Sequence, residues 1–196
     1  LNSEKIVLDR DDMRRTLVRI AHEIIERNEP ESLAIVGIHR RGAELAARLH
    51  GLISELTDVD VPLGDLDIAF YRDDVATRAR EAATGAAGEA RAVPAPVVHA
   101  SHIEFALEGR TVVIVDDVLF TGRTVRASIE ALFDYGRPER VQLAVMADRG
   151  HRELPIRPDY VGKNLPTARG ELVVVRVEEL DEVDEVVIAT PREVAV

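Results

Sequence analysis

Two adjacent carboxylates, Asp116 and Asp117, end the apolar run Val112-Val113-Ile114-Val115, and Val118-Leu119-Phe120 then leads into Thr121-Gly122-Arg123-Thr124. Carboxylates so placed suit vicinal sugar hydroxyls as hydrogen-bond acceptors. A glycine at a helix start lets a phosphate approach unpaired N–H groups that carry partial positive charge. One loop can therefore hold a sugar and its phosphate at a fixed separation. A second loop, Gly37-Ile38-His39-Arg40-Arg41-Gly42, also follows an apolar run, and a guanidinium such as Arg41 makes forked bonds to phosphate oxygens. Taken alone, the first string is equally a capping turn and the second a turn with solvated arginines.

The other reactive residue types add little. The chain has no cysteine, which excludes disulfides, thiolate catalysis and cysteine-based zinc sites. His99 and His102 have helical spacing but lie in Pro-bounded sequence with only Glu104 nearby, so they and His50 read as structural or solvated. His39, beside the second loop, is worth a mutation.

The elements that must position these loops follow from periodicity. Met13, Leu17, Ile20 and Ile24 form one stripe of a helix over residues 11–27, with Asp9, Asp11 and Asp12 as capping candidates. Residues 33–38 read as a buried strand, 43–56 as a helix, 66–71 as a strand, 111–116 as the clearest buried strand and 124–133 as the helix after it. Residues 141–146 form another strand, and 172–177 with 186–188 a closing strand pair. Strands alternating with helices predict an α/β fold with a mainly parallel twisted sheet flanked by helices, whose ligands sit at the carboxyl ends of the strands. Residues 72–100 lack periodicity and read as a long active-site lid loop or an insertion. At 196 residues the chain is expected to form a single domain over 1–196.

With 25 basic and 36 acidic residues the net charge is −11, which opposes indiscriminate binding to nucleic acid but leaves room for a local basic patch. No apolar run is long enough to span a bilayer, and the start does not resemble a signal peptide, so a cytoplasmic protein is expected.

The thirteen-residue string from Val112 to Thr124 resembles the diphosphoribose signature of type I phosphoribosyltransferases at every position. The similarity extends further. Met13-Arg14-Arg15, Arg19-Ile20-Ala21-His22-Glu23, Tyr71-Arg72-Asp73-Asp74, Gly136-Arg137-Pro138 and Asp159-Tyr160-Val161-Gly162-Lys163-Asn164 look like the PyrR family. The most specific string is Asp148-Arg149-Gly150-His151-Arg152-Glu153-Leu154-Pro155-Ile156-Arg157. The resemblance covers roughly residues 5–74 and 109–188. That family comprises bacterial pyrimidine-operon regulators that bind messenger RNA and often retain uracil phosphoribosyltransferase activity.

The resemblance implies a phosphoribosyltransferase fold with a small hood, acting on uracil and 5-phosphoribosyl diphosphate to give UMP and diphosphate. Asp116 and Asp117 would hold the ribose hydroxyls, directly or through magnesium-bound water. Residues Thr121, Gly122, Arg123 and Thr124 would cradle the 5-phosphate, and Mg2+ would be held mainly by the substrate and water. Arg41, with Arg40 and Gly42, would clamp the leaving diphosphate. Phe120 replaces the purine-reading aspartate of hypoxanthine–guanine enzymes and favours a pyrimidine. The Val161 backbone would read the base, with Arg137 and Arg149 as further nucleotide contacts and Arg80 or Arg78 closing from the lid. The chain departs from the family in reading Arg40-Arg41-Gly42 where Thr-Arg-Gly is usual. Its lid is also long, with Ala82-Ala83-Thr84-Gly85-Ala86-Ala87-Gly88 offering no apolar anchor.

For a pyrimidine-operon mRNA leader, the cationic candidates are Arg15, Arg19, His22 and Arg27 on the first helix, and His151, Arg152, Arg157 and Lys163 further on. Assembly as a homodimer or larger homo-oligomer also follows from the resemblance. A salvage enzyme of other base specificity, and a catalytically idle nucleotide sensor, remain open alternatives.

Overall fold

The computed structural model describes residues 3–68 and 101–190. The expected lid, including Arg78 and Arg80, lies outside the described residues. The chain runs β1 (Ser3–Leu8), α1 (Arg10–Arg27), β2 (Leu33–Ile38), α2 (Arg41–Thr57), β3 (Leu63–Leu66), β4 (Thr111–Leu119), α3 (Arg123–Phe133), β5 (Arg140–Asp148), β6 (Tyr160–Asn164), β7 (Leu172–Arg176), α4 (Glu178–Asp181) and β8 (Glu185–Thr190). Strands β3-β2-β4-β5-β6 form a parallel sheet, as expected. Strands β1-β8-β7 form a separate antiparallel sheet, the hood.

Side chains of a strand alternate between faces, and a sheet covered on both sides needs apolar residues on both. Leu33, Ile35, Val113, Val115, Ala144 and Met146 enter one core with α1, α2 and the hood. Ala34, Val36, Ile38, Val112, Ile114, Leu143 and Val145 enter a second core with α3. This double requirement explains why the strands read as continuous apolar runs rather than alternating ones.

Helix α1 begins with a capping box: the Asp9 carboxylate accepts from the Asp12 N–H, and the Asp12 carboxylate accepts from the Asp9 N–H. Its stripe of Met13, Leu17, Ile20, Ala21 and Ile24 is buried. At its far end Asn28 donates to Gln142 Oε1 at 3.1 Å and to the Tyr160 hydroxyl at 3.0 Å, which ties the helix to β5 and β6. Burial pushes the Tyr160 phenol up from its ordinary pKa.

The third strand lies earlier than the expected 66–71. Pairing of Ile35–Ile38 with Leu63–Leu66 fixes it, although Gly64-Asp65 reads locally as a turn. Strand β1 was not expected, since only its distant partner β8 defines it.

Candidate active site

Both loops lie at the carboxyl ends of β2 and β4, neighbours in the sheet. What brings them together is main-chain contact. A Cβ placed on Gly42 would stand 2.6 Å from the Val115 carbonyl oxygen, so only glycine lets the start of α2 pass this close to β4. Arg40, Arg41, Gly42, Asp116, Asp117, Val118 and Thr124 then line one cleft of about 290 Å³, together with Ile38, His39 and Ile68.

Asp116 is buried, and its Oδ1 accepts the Asp117 N–H at 2.9 Å; Asp117 Oδ1 accepts the Val118 N–H at 2.8 Å. These bonds hold both carboxylates at the strand end. Gly122 caps α3 at φ +91° without a side-chain cap, and the Arg123 N–H reaches Thr121 Oγ1 at 3.4 Å; a helix start of this kind suits an anion. In the other loop His39 Nε2 lies 2.6 Å from Asp65 Oδ1. Arg41 gives Nε and Nη2 to Asp181 of α4 at 2.9 and 2.6 Å. The hydrogen bond to Asp181 raises the Arg41 pKa above its ordinary value, and the Asp117 charge adds to this.

The string 148–157 supports the turn between β4 and α3. The Arg149 N–H donates to the Leu119 carbonyl at 3.1 Å, and Glu153 and Leu154 N–H to that of Thr121 at 3.0 and 3.1 Å. Arg152 reaches the Phe120 carbonyl at 2.8 Å, the Ile156 carbonyl at 3.0 Å and the Asp148 carboxylate. The buried Arg149 guanidinium stacks over the Phe120 ring, 4.1 Å from its centroid, and donates to the Glu171 carbonyl at 2.7 Å. Desolvation lowers its pKa from the ordinary arginine value. His151 Nε2 lies 2.6 Å from the Thr167 carbonyl. Beside this segment lies an open pocket of about 970 Å³ that reaches Val161, Asn164 and Thr167 and includes neither aspartate. It is larger than the cleft, but Asp116, Asp117 and Thr124 line the smaller cleft and not this pocket.

Several expected residues are placed differently. Arg137 lies between α3 and β5, toward the amino-terminal ends of the parallel strands, whereas the cleft lies at their carboxyl ends. The Val161 carbonyl accepts from Arg19 Nη2 at 2.9 Å, one of the two bonds such an oxygen can take. Arg19 is thus tied to β6 instead of standing clear on the helix face. Arg152 bonds oxygens of Phe120, Ile156 and Asp148, and His151 Nε2 faces the Thr167 carbonyl. Arg15, His22, Arg27, Arg157 and Lys163 remain exposed, with Arg15 paired to Asp12. Packing of α1 against β6 brings the two cationic stretches into one surface: Arg27 donates to the Asp159 carbonyl at 3.2 Å, and Lys163 to that of Val7 at 3.3 Å.

Asp181 and Asp65 were missed. The acidic run 178–185 is plain in the sequence, but such runs usually mark a solvated face. No described helix is long and apolar enough to cross a membrane.

The sequence matches the phosphoribosyl transferase domain family over residues 5–180. It is 55% identical over 179 residues to the bifunctional protein PyrR of Roseiflexus sp. (strain RS-1), covering 91% of this chain and 90% of that protein. It is 53% identical over 188 residues to the bifunctional protein PyrR of Deinococcus radiodurans, covering 95% of each. Among solved structures, the hypoxanthine phosphoribosyltransferase of Trypanosoma cruzi in complex with the product IMP superposes with a TM-score of 0.66 at 18% identity, over 95% of this chain and 90% of that one. A hypoxanthine phosphoribosyltransferase from Staphylococcus aureus gives 0.65 at 20% identity, over 96% and 92%. At such identities the structures share the fold.

Proposed function

The chain belongs to the phosphoribosyl transferase family and, within it, to the PyrR group, and from that premise we propose that it is a uracil phosphoribosyltransferase that also regulates pyrimidine genes by UMP-modulated binding to mRNA. The observation that carries the enzymatic half is the single cleft that joins Arg41, Asp116, Asp117 and the start of α3. Asp116 and Asp117 hold the ribose hydroxyls, and the first turn of α3 holds the 5-phosphate. A uracil ring nitrogen bonds to the anomeric carbon as the bond to the diphosphate oxygen breaks, and that nitrogen loses its proton. The ribose passes through an oxocarbenium-like state, as in glycoside cleavage. Fixed carboxylates near the ring and guanidinium charge near the leaving group stabilise this separation of charge.

Two adjacent acids fit a magnesium ion that takes most ligands from diphosphate and water; among the described residues no cluster of three or more acidic or histidine side chains would hold an ion alone. The ion supplies charge neutralisation on the diphosphate. Phe120, fixed beneath Arg149, has no acceptor for a purine imidazole and so supports a pyrimidine.

The regulatory half is supported by the joint α1–β6 surface carrying Arg15, His22, Arg27 and Lys163. The same reading carries a cytoplasmic location and a homodimer or larger assembly. The test is to incubate the protein with 5-phosphoribosyl diphosphate, magnesium and each free base. Uracil should give UMP and diphosphate only with magnesium, and much faster turnover of hypoxanthine or guanine would overturn the base assignment.

A further inference from the structure

The arginine expected to clamp diphosphate already has its fork engaged. Nε and Nη2 of Arg41 meet Oδ2 and Oδ1 of Asp181 at 2.9 and 2.6 Å, the two-point geometry a phosphate group would take. Asp181 Oδ2 also accepts the Val177 N–H at 3.0 Å, inside its own turn. The acidic segment around it is fastened from the other side. Glu179 and Asp184 hold Arg48 of α2, and Glu178 pairs with Arg10 of α1. The carboxylate is therefore a fixed acceptor. Arg41, in the first turn of α2 with 34% of its side chain exposed, is the member free to swing into the cleft. Each ion holds the other charged: the Asp181 carboxyl is lowered chiefly by its hydrogen bond with Arg41.

We propose that Asp181 is a place-holder for diphosphate, keeping the Arg41 fork until diphosphate takes it and recovering the fork as diphosphate leaves. The proposal rests on the reading of Arg41 as the leaving-group clamp. A diphosphate carries more charge than a carboxylate and can win the exchange. Winning leaves the Asp181 carboxylate without its arginine and close to a polyanion. That cost weakens binding of substrate and of product diphosphate alike, and it speeds product departure. A carboxylate that merely supported Arg41 would have the opposite effect, strengthening both.

The test is calorimetric titration of magnesium diphosphate and of 5-phosphoribosyl diphosphate into wild type, Asp181→Asn and Glu179→Gln, with diphosphate inhibition of UMP formation measured in parallel. Asparagine keeps an acceptor for the Val177 N–H, and Asp181→Ser gives the same readout should the amide variant melt early. Asp181→Asn should bind diphosphate about three- to tenfold more tightly, with inhibition strengthened to match, the size expected for one charge-assisted contact in a partly exposed pair. Glu179→Gln loosens the segment without touching Arg41 and should bind as wild type. Unchanged or weaker diphosphate binding in a folded Asp181 variant overturns the proposal. So does equal tightening in Glu179→Gln, because mobility of the segment would then be the cause. A wild type that binds neither ligand and forms no nucleotide overturns the transferase reading itself, and is recognised before any variant is compared.

Discussion

Arg19 Nη2 donates to the carbonyls of both Val161 and Gly162, at 2.9 and 2.8 Å, and so joins the outer face of α1 to the edge strand of the parallel sheet. Arg15, one turn earlier, donates to Asp12 at 2.6 Å. The two arginines share a helix face but differ in how they are anchored. Arg15→Gln should weaken binding to a pyrimidine leader RNA, lower the salt slope by roughly 0.7 if a single-strand phosphate contact is lost, and leave UMP formation intact. Arg19→Gln should do this and also lower the melting temperature. Fluorescence titration across salt with thermal melts separates the cases, and identical behaviour of the two variants would remove the distinction.

UMP should tighten RNA binding, and RNA should tighten UMP binding by the same factor, because coupling between two sites is reciprocal. Titrating each ligand in the presence and absence of the other checks this. Equal affinities throughout would leave a transferase without the regulatory link.

Asp117→Asn should keep a near-normal melt and lose most activity. Its carboxylate bonds only the adjacent Val118 N–H, which an amide oxygen can also accept, so little of the fold depends on the charge. The lost transition-state contact is worth about 2–4 kcal/mol, by analogy with removed oxyanion donors. Steady-state kinetics with a melt decide it, and unchanged kinetics in both Asp116→Asn and Asp117→Asn would end the ribose-holding role.

Arg152→Gln should cost catalysis as well as any RNA contact. Its guanidinium holds the Phe120 and Ile156 carbonyls and the Asp148 carboxylate, so its removal loosens the sugar-phosphate loop. A raised KM for 5-phosphoribosyl diphosphate is expected. A variant deficient in RNA binding alone would show that the loop stands without it.

Acid should release the hood before the parallel sheet. Burial raises the Asp184 carboxyl, but Arg48 outweighs it, and the net pKa is lowered; Arg48 likewise lowers Glu179, and Arg41 lowers Asp181. Groups depressed on folding give stability that is full above their ordinary values and is lost as pH falls through the depressed ones. Amide exchange of β8 should therefore accelerate below about pH 4 while that of β4 stays slow. Arg48→Gln should speed β8 exchange at neutral pH and flatten its dependence on acid, because the ion that depresses Glu179 and Asp184 is gone. Uniform protection of both sheets down to the melting transition would contradict this.

The central strands, the helix stripes and the two loops were legible because each is specified locally, by apolar runs, capping acids and glycines. Strand β1 was not, since Ser3–Leu8 becomes a strand only through β8, at the other end of the described chain. The site was legible as ligand groups but not as their partners. Nothing near Arg41 in sequence announces Asp181, and most acceptors for Arg149, His151 and Arg152 are carbonyls, which carry no side-chain signature.

The approach of Gly42 to the Val115 carbonyl has a wider consequence. On the proposed reading, the gap between the jaw that would grip the leaving group and the jaw that would grip the sugar is set by backbone against backbone. It works as a caliper locked at one opening, and side-chain changes around the cleft can alter what is gripped without altering the span. Base preference can then drift at Phe120 and its neighbours while the reach across the diphosphoribose stays constant, and even alanine at position 42 would spring the caliper open.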